Sequence, residues 1–376
     1  MITDIRIQLA ILMYLVGCVS LIIYNVIVVY RKSRSTKAMS NSTNKWIRSI
    51  YQEFNAKENT ETLSQKSEKH LLKKLKRVEQ LLAFSSALCY FKDEDVLGFY
   101  DEYMDMLMKS EVFHTLANAY REKKKEERAY FAYFISQYPQ LAKDTEGICT
   151  DTINAMVSYI DDSDIYCRAN VLKALCSVGD LHGIINVLQS FNDSFNFIHY
   201  KLLAEELFNF AGDKDVLALY LWGKCKLWNE NITLGVITFI TMFSDEFKSV
   251  FLPVLKNKLV GVELRIAFIK YYKEYRFKPA QPILAEYLNQ TENYALAAEA
   301  ASALSSYSGH NTISALTLAL QSNNWHVQYS AASSLVALGK YPEHFAKSDS
   351  DTLQIVQYMR EHINDEKYMN VSDVII

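Results

Sequence analysis

The chain has 376 residues, with 40 Lys and Arg against 43 Asp and Glu, a formal net charge of −3 and 50% hydrophobic residues. That balance provides no global basic field to hold a nucleic-acid backbone, and the apolar share excludes a disordered chain. Eleven Gly and five Pro are too few for the many turns of a sandwich, a barrel or a Rossmann sheet, so an all-α protein is expected.

The first predicted element is apolar. Ile7 to Tyr30 are 24 residues without a charge. As a helix they span about 36 Å, enough to cross a bilayer. A cleaved signal peptide would have a shorter apolar core and a small-residue cleavage site, whereas Tyr30, Arg31 and Lys32 follow here. A single transmembrane helix over residues 1–30 is therefore expected. Arg31, Lys32, Arg34 and Lys37 flank it on the C-terminal side, against Arg6 and Asp4 on the other. The positive-inside rule then predicts a single-pass cell-membrane protein with its N-terminus outside and its C-terminal domain cytoplasmic. The six cysteines form no CxxC pair and read as small core residues in a reducing compartment.

Residues 31–62 are rich in Ser, Thr, Asn and Lys and predict a polar tether, coil apart from one short helix around Trp46, Ile47, Ile50, Tyr51 and Phe54. From Leu63 the period is helical. Leu71, Leu72, Leu75, Val78 and Leu82 share one face, opposite Lys66, Lys69, Lys73, Lys76 and Arg77. The basic face has two readings: the solvated outside of a packed helix, or a surface facing anionic lipid. Further helices are expected over Val96–Met108, Val112–Arg121 and Glu126–Tyr138. Residues 63–140 thus form a helical N-terminal part.

Residues 141–376 carry an internal repeat. Its clearest copy is Cys167-Arg168-Ala169-Asn170-Val171-Leu172-Lys173-Ala174-Leu175-Cys176-Ser177-Val178-Gly179-Asp180. Val327 to Gly339 and Leu296 to Ser308 follow the same pattern. Its terminal position recurs as Gly179, Gly212, Ser244, Arg276, Ser308 and Gly339, at spacings of 33, 32, 32, 32 and 31. Three columns are apolar in all six rows. The first is Cys167, Tyr200, Ile232, Leu264, Leu296 and Val327. Four residues later stand Val171, Ala204, Val236, Phe268, Ala300 and Ala331. Four beyond those are Leu175, Phe208, Ile240, Tyr272, Leu304 and Leu335. Asn/Asp clusters precede each row: Asp161 to Asp164, Asn192-Asp193, Asn229 to Asn231, Asn257, Asn289 to Asn293, and Asn323-Asn324. Such side chains cap a starting helix. Pro279 and Pro282 suit a first helical turn.

This pattern resembles the second helix of a HEAT repeat, where an apolar-Arg pair precedes small, Ala-Leu and Gly-Asp positions. The resemblance implies a right-handed α-solenoid of HEAT-like helical hairpins, and with it a scaffold or adaptor that binds a protein partner. With an anchor in front, the expected partner is a membrane-embedded enzyme or exporter. A membrane-surface sensor or lipid-binding protein, and a HEAT-like enzyme of the lyase type, are the alternatives.

No catalytic residue, cofactor or metal ligand is assigned. The chain has no Gly-rich phosphate loop, no G-x-S-x-G and no H-E-x-x-H, and its eight His form no pair at helical spacing. Asp162-Ser163-Asp164 fits a helix cap better than a calcium loop, because Cys167 stands where the loop glycine belongs. Asp101, Glu102 and Asp105 read as a solvated acidic face. Trp222, Trp228 and Trp325 read as core.

Overall fold

The computed structural model describes residues 2–55, 62–94, 98–144, 147–160, 164–193, 197–289, 293–340 and 354–361. Among these residues the regular structure is helical, apart from one antiparallel pairing of β1 (Lys143–Asp144) with β2 (Gly147–Ile148). The chain divides into two compact units, Met1–Val178 and Gly179–Ile376.

The first unit opens with α1, Ile2–Asn55, a single helix of 54 residues. The coil expected for the tether is thus helix as far as Asn55. Residues 31–55 contain neither Gly nor Pro. Their polar side chains cooperate with the ladder, as where Thr36 Oγ1 donates to the Lys32 carbonyl at 2.9 Å. The end of α1 is also docked: Trp46 and Ile50 are buried, and Trp46 Nε1 donates to Gln80 Oε1 at 3.2 Å. Packing of an apolar stripe is what usually secures a helix of modest propensity.

The helix expected from Leu63 is in fact two, α2 (Gln65–Leu75) and α3 (Val78–Asp93). Arg77 between them is extended, at φ −102° and ψ 127°. The break resets the helical phase. Leu71 and Leu75 are buried, but Val78 and Leu82 are only half-buried, and Leu81, Phe84, Leu88 and Phe91 carry the core side of α3. α4 (Phe99–Met108) follows Gly98, whose φ of 71° suits glycine. Val96, where that helix was expected to start, lies outside the described residues. α5 (Val112–Arg121) and α6 (Lys125–Gln137) match expectation within a residue or two, and α7 (Thr150–Val157) and α8 (Ile165–Val178) complete the unit. Packing runs in two series: α1 lies on α3, α3 on α6 and α6 on α8, while α2 lies on α5 and α5 on α7.

The second unit comprises α9 (Leu181–Asp193), α10 (Tyr200–Phe208), α11 (Lys214–Lys224), α12 (Glu230–Thr241), α13 (Lys248–Lys256), α14 (Val262–Glu274), α15 (Gln281–Leu288), α16 (Tyr294–Leu304), α17 (His310–Ala319) and α18 (Trp325–Ala337). Residues 354–361 are also helical. α10, α12, α14, α16 and α18 pack in succession, each on the next, and α15 packs on α17. The six rows of the repeat fall on α8, α10, α12, α14, α16 and α18. All six residues of the middle column are buried, and five of six in the last, Phe208 being half-buried. A 32-residue hairpin cannot cover its own apolar face, so these columns are buried by the neighbouring helices.

The caps fall largely where the Asn/Asp clusters stand. Asp164 accepts from the Cys167 N–H at 2.9 Å, Asn229 from Ile232 at 3.0 Å, Asn293 from Leu296 at 3.1 Å and Asn324 from His326 at 3.0 Å. Asn192 differs: it lies at the end of α9 and accepts from the Asn229 N–H at 2.7 Å, while His199 caps α10. Asp161, Asp162 and Ser163 lie outside the described residues. Gly179 and Gly339, which close the two clearest copies, have φ of 86° and 71°. Pro282 occupies the first turn of α15.

Candidate functional site

A groove of about 520 Å³ crosses α10, α12 and α14. Its floor is the small and apolar residues Ala204, Leu234, Ile266 and Ala267. The helices come close because Gly235 of α12 has no side chain: a Cβ there would meet Leu203 Cδ2 at 2.5 Å. Thr238 and Thr241 donate their hydroxyls to the Leu234 and Ile237 carbonyls, each at 2.7 Å. Charge enters from both sides, with Lys201 and Glu205 on α10 and Glu263, Lys270 and Glu274 on α14. All five are exposed. Lys270 is also 4.0 Å from Glu299 of α16. Three carboxylates therefore face two ammonium groups, one of which has a further acidic neighbour. The groove suits an apolar segment with a positive flank.

The charged residues singled out from sequence as membrane flank or lipid-facing do not line this groove. Arg31, Lys32, Arg34 and Lys37 are exposed along α1, directly after an equally exposed apolar stretch that includes Leu21, Ile22, Val26 and Tyr30. α1 is long and apolar enough to cross a membrane. Lys66, Lys69 and Lys73 stand together on α2, and Lys76 and Arg77 occupy the α2–α3 junction; all five are exposed. The three α2 lysines rim a second cavity, of about 530 Å³, beside Trp46, Glu53, His70 and Tyr103. Burial raises the Glu53 carboxyl above its ordinary range, against a hydrogen bond from Ser67 and the His70 charge. Asp101, Glu102 and Asp105 are exposed.

Two core assignments need correction. Trp228 is buried and Trp222 packs on Phe251 at 4.8 Å, but Trp325 is 53% exposed, because it occupies the first turn of α18 ahead of the packed stripe. Cys149, Cys167, Cys176 and Cys225 are buried free thiols, whereas Cys89 is exposed on α3 and Cys18 is only half-buried on α1. One grouping escaped the sequence entirely. A ring nitrogen of His114, a carboxylate oxygen of Asp144 and the Cys149 sulfur lie within 4.8 Å of one another. Only the proximity of α5, the β1–β2 hairpin and the start of α7 reveals them.

No protein-family model matches the chain, and a search of curated proteins finds no relative.

Proposed function

We propose that the chain is a membrane-anchored adaptor built as a HEAT-like α-solenoid, whose groove receives an apolar segment flanked by Lys or Arg from the cytoplasmic face of a membrane-embedded enzyme or exporter. The alternate packing of α10 through α18, with the repeat columns at its contacts, supports the solenoid arrangement. The exposed apolar stretch of α1, with four basic residues just after it against Arg6 and Asp4 before it, supports the anchor and its orientation. The observation that carries the partner is the lining of the groove, an apolar floor with three Glu against two Lys. Cytoplasmic loops of membrane proteins are enriched in Lys and Arg, so a groove with three Glu against two Lys complements them in charge.

The lipid-binding alternative is disfavoured by distance. The α2 lysines rim a cavity whose α1 wall begins at Trp46. From Tyr30 to Trp46 the helix rises about 24 Å. Attraction to lipid headgroups fades over a screening length of about 8 Å. With α1 near the bilayer normal, that basic face stands clear of the membrane.

The experiment is photo-crosslinking of the full-length chain in its native membrane. A photoreactive residue at Thr238 is expected to capture an integral membrane protein, and one at Leu259, which is 95% exposed and outside the groove lining, is not. Glu205→Lys with Glu263→Lys should reduce that capture at least tenfold. Equal capture from both positions, or capture indifferent to the charge reversal, would refute the groove as the docking site.

A further inference from the structure

We infer that His114, Asp144 and Cys149 form a binding site for a divalent cation of the zinc class, independent of the groove. Their three donor atoms already lie within 4.8 Å of one another. Tetrahedral zinc, with bonds of about 2.0–2.3 Å, requires donors about 3.3–3.8 Å apart, so closure asks for shifts of about 1 Å. Each of the three residues is held by a bond, those of His114 and Asp144 through the side chain and that of Cys149 through the backbone. His114 Nδ1 is 2.6 Å from the hydroxyl of Thr152, which is fully buried, and this leaves Nε2 for the cation. Asp144 Oδ1 accepts from the Gly147 N–H at 3.1 Å across the hairpin, where Gly147 has a φ of 134° that a side chain would resist. Cys149 is fixed by its N–H to the Ala142 carbonyl at 3.0 Å. Ligating imidazoles are held through their far nitrogen by an outer-shell hydrogen bond, and the Thr152 hydroxyl is placed to accept one here.

The charge count agrees. Binding breaks the Cys149 S–H bond, releases that proton to solvent and forms a metal–sulfur bond with the thiolate. Thiolate and carboxylate together carry −2, so a divalent cation leaves a neutral group at a site where Cys149 is 8% exposed and the other two donors are half-buried. Sulfur and imidazole donors select a borderline-soft ion over magnesium or calcium. Three protein donors leave the fourth tetrahedral position to water or another ligand. The bound ion would clip the β1–β2 hairpin to α5 and to the start of α7.

The test uses the purified full-length chain in mild detergent, with Cys89→Ser to remove the exposed thiol, and Co²⁺ as the probe. One equivalent of Co²⁺ is expected to produce a thiolate-to-cobalt charge-transfer band and the strong visible bands of tetrahedral cobalt, and Zn²⁺ should bleach both. Cys149→Ser should abolish the charge-transfer band. His114→Gln should weaken binding at least tenfold, and Thr152→Val by about 10- to 100-fold through the imidazole it orients. The parent titration stands even if a variant fails to fold. Absence of a charge-transfer band at stoichiometric Co²⁺ in the parent, or its persistence in folded Cys149→Ser, would overturn the site.

Discussion

Tyr307 donates its phenolic proton to the carbonyl of Tyr272, 35 positions earlier, at 2.8 Å, and accepts the Phe277 N–H at 3.2 Å. Tyr272 lies in the last turn of α14, where backbone carbonyls have no partner within the helix. The residue before, Ser306, does the same for Lys273 at 2.9 Å. Tyr287 donates to Leu255 at the end of α13, Ser334 to Ala301 in the last turn of α16, and Tyr120 to Leu75 at the end of α2. Each of these helix ends is completed by a side chain from a later segment. The many tyrosines therefore fill the core and close helix ends with one residue.

Tyr307→Phe keeps the ring and removes the bond, leaving two backbone groups without this partner. A loss of about 1–3 kcal/mol is expected in urea unfolding of the full chain. Ser306→Ala, at an exposed bond that water can replace, should cost under about 0.5 kcal/mol. Equal losses for the two would mean that burial of the Tyr307 bond is not what matters.

Ala300 and Ala331 belong to the buried middle column of the repeat and are fully inaccessible. Ala300→Asp or Ala331→Asp places a carboxylate between packed helices without a partner, at a cost of about 3 kcal/mol or more. Leu259→Asp at the exposed tip should stay within about 0.5 kcal/mol. Denaturation midpoints of the three variants decide the matter, and a parental midpoint for both alanine variants would break the assigned register.

Cys89 is a natural probe of sidedness. An impermeant maleimide on intact cells should leave it unlabelled and should label it after permeabilisation. Burial, then the neighbouring Asp93 charge, raises the thiol above its ordinary range, so labelling should accelerate as pH rises. Asp93→Asn removes the second cause and should speed labelling at fixed pH. Labelling of intact cells, absent in Cys89→Ser, would reverse the proposed orientation.

Glu53, beyond the apolar stretch of α1, has a carboxyl raised from 4.5 chiefly by burial. The folded chain therefore holds this proton more tightly than the unfolded chain. Stability contributed here falls as pH rises from about 4.5 to the folded value, then levels off. Glu53→Gln should raise the melting temperature at pH 7, and the gain should shrink to nothing below about pH 4.5. A constant difference across that range would point to a cause other than ionisation.

What the sequence made legible was set by spacing along single helices. A small or apolar residue every four positions located α8, α10, α12, α14, α16 and α18. An Asn or Asp cap marked the start of α8, α12, α16 and α18, whereas His199 caps α10 and Gly261 precedes α14. The groove was not legible, since Glu205 and Glu263 lie on helices two apart in the packing order and stand at different positions of the repeat. His114 is 30 residues from Asp144, so no local period joins them. The continuation of α1 to Asn55 was missed for a different reason. Ser, Thr and Asn argue for coil by propensity, but the docking of Trp46 and Ile50 on α3 outweighs it.

A helix that continues from the apolar stretch to Trp46 behaves as a threaded shaft rather than a leash. Each residue added between Arg31 and Lys45 would lift the docked end by about 1.5 Å and turn it by about 100°. One inserted alanine should thus swing the packed end of the first unit to another compass bearing about the apolar stretch, whereas seven return it to within about 20° while raising it about 10 Å. A molecule in the same membrane that bound this first unit would meet it from one azimuth only. Recognition would then be periodic in the length of the shaft, which a coil of the same composition would not produce.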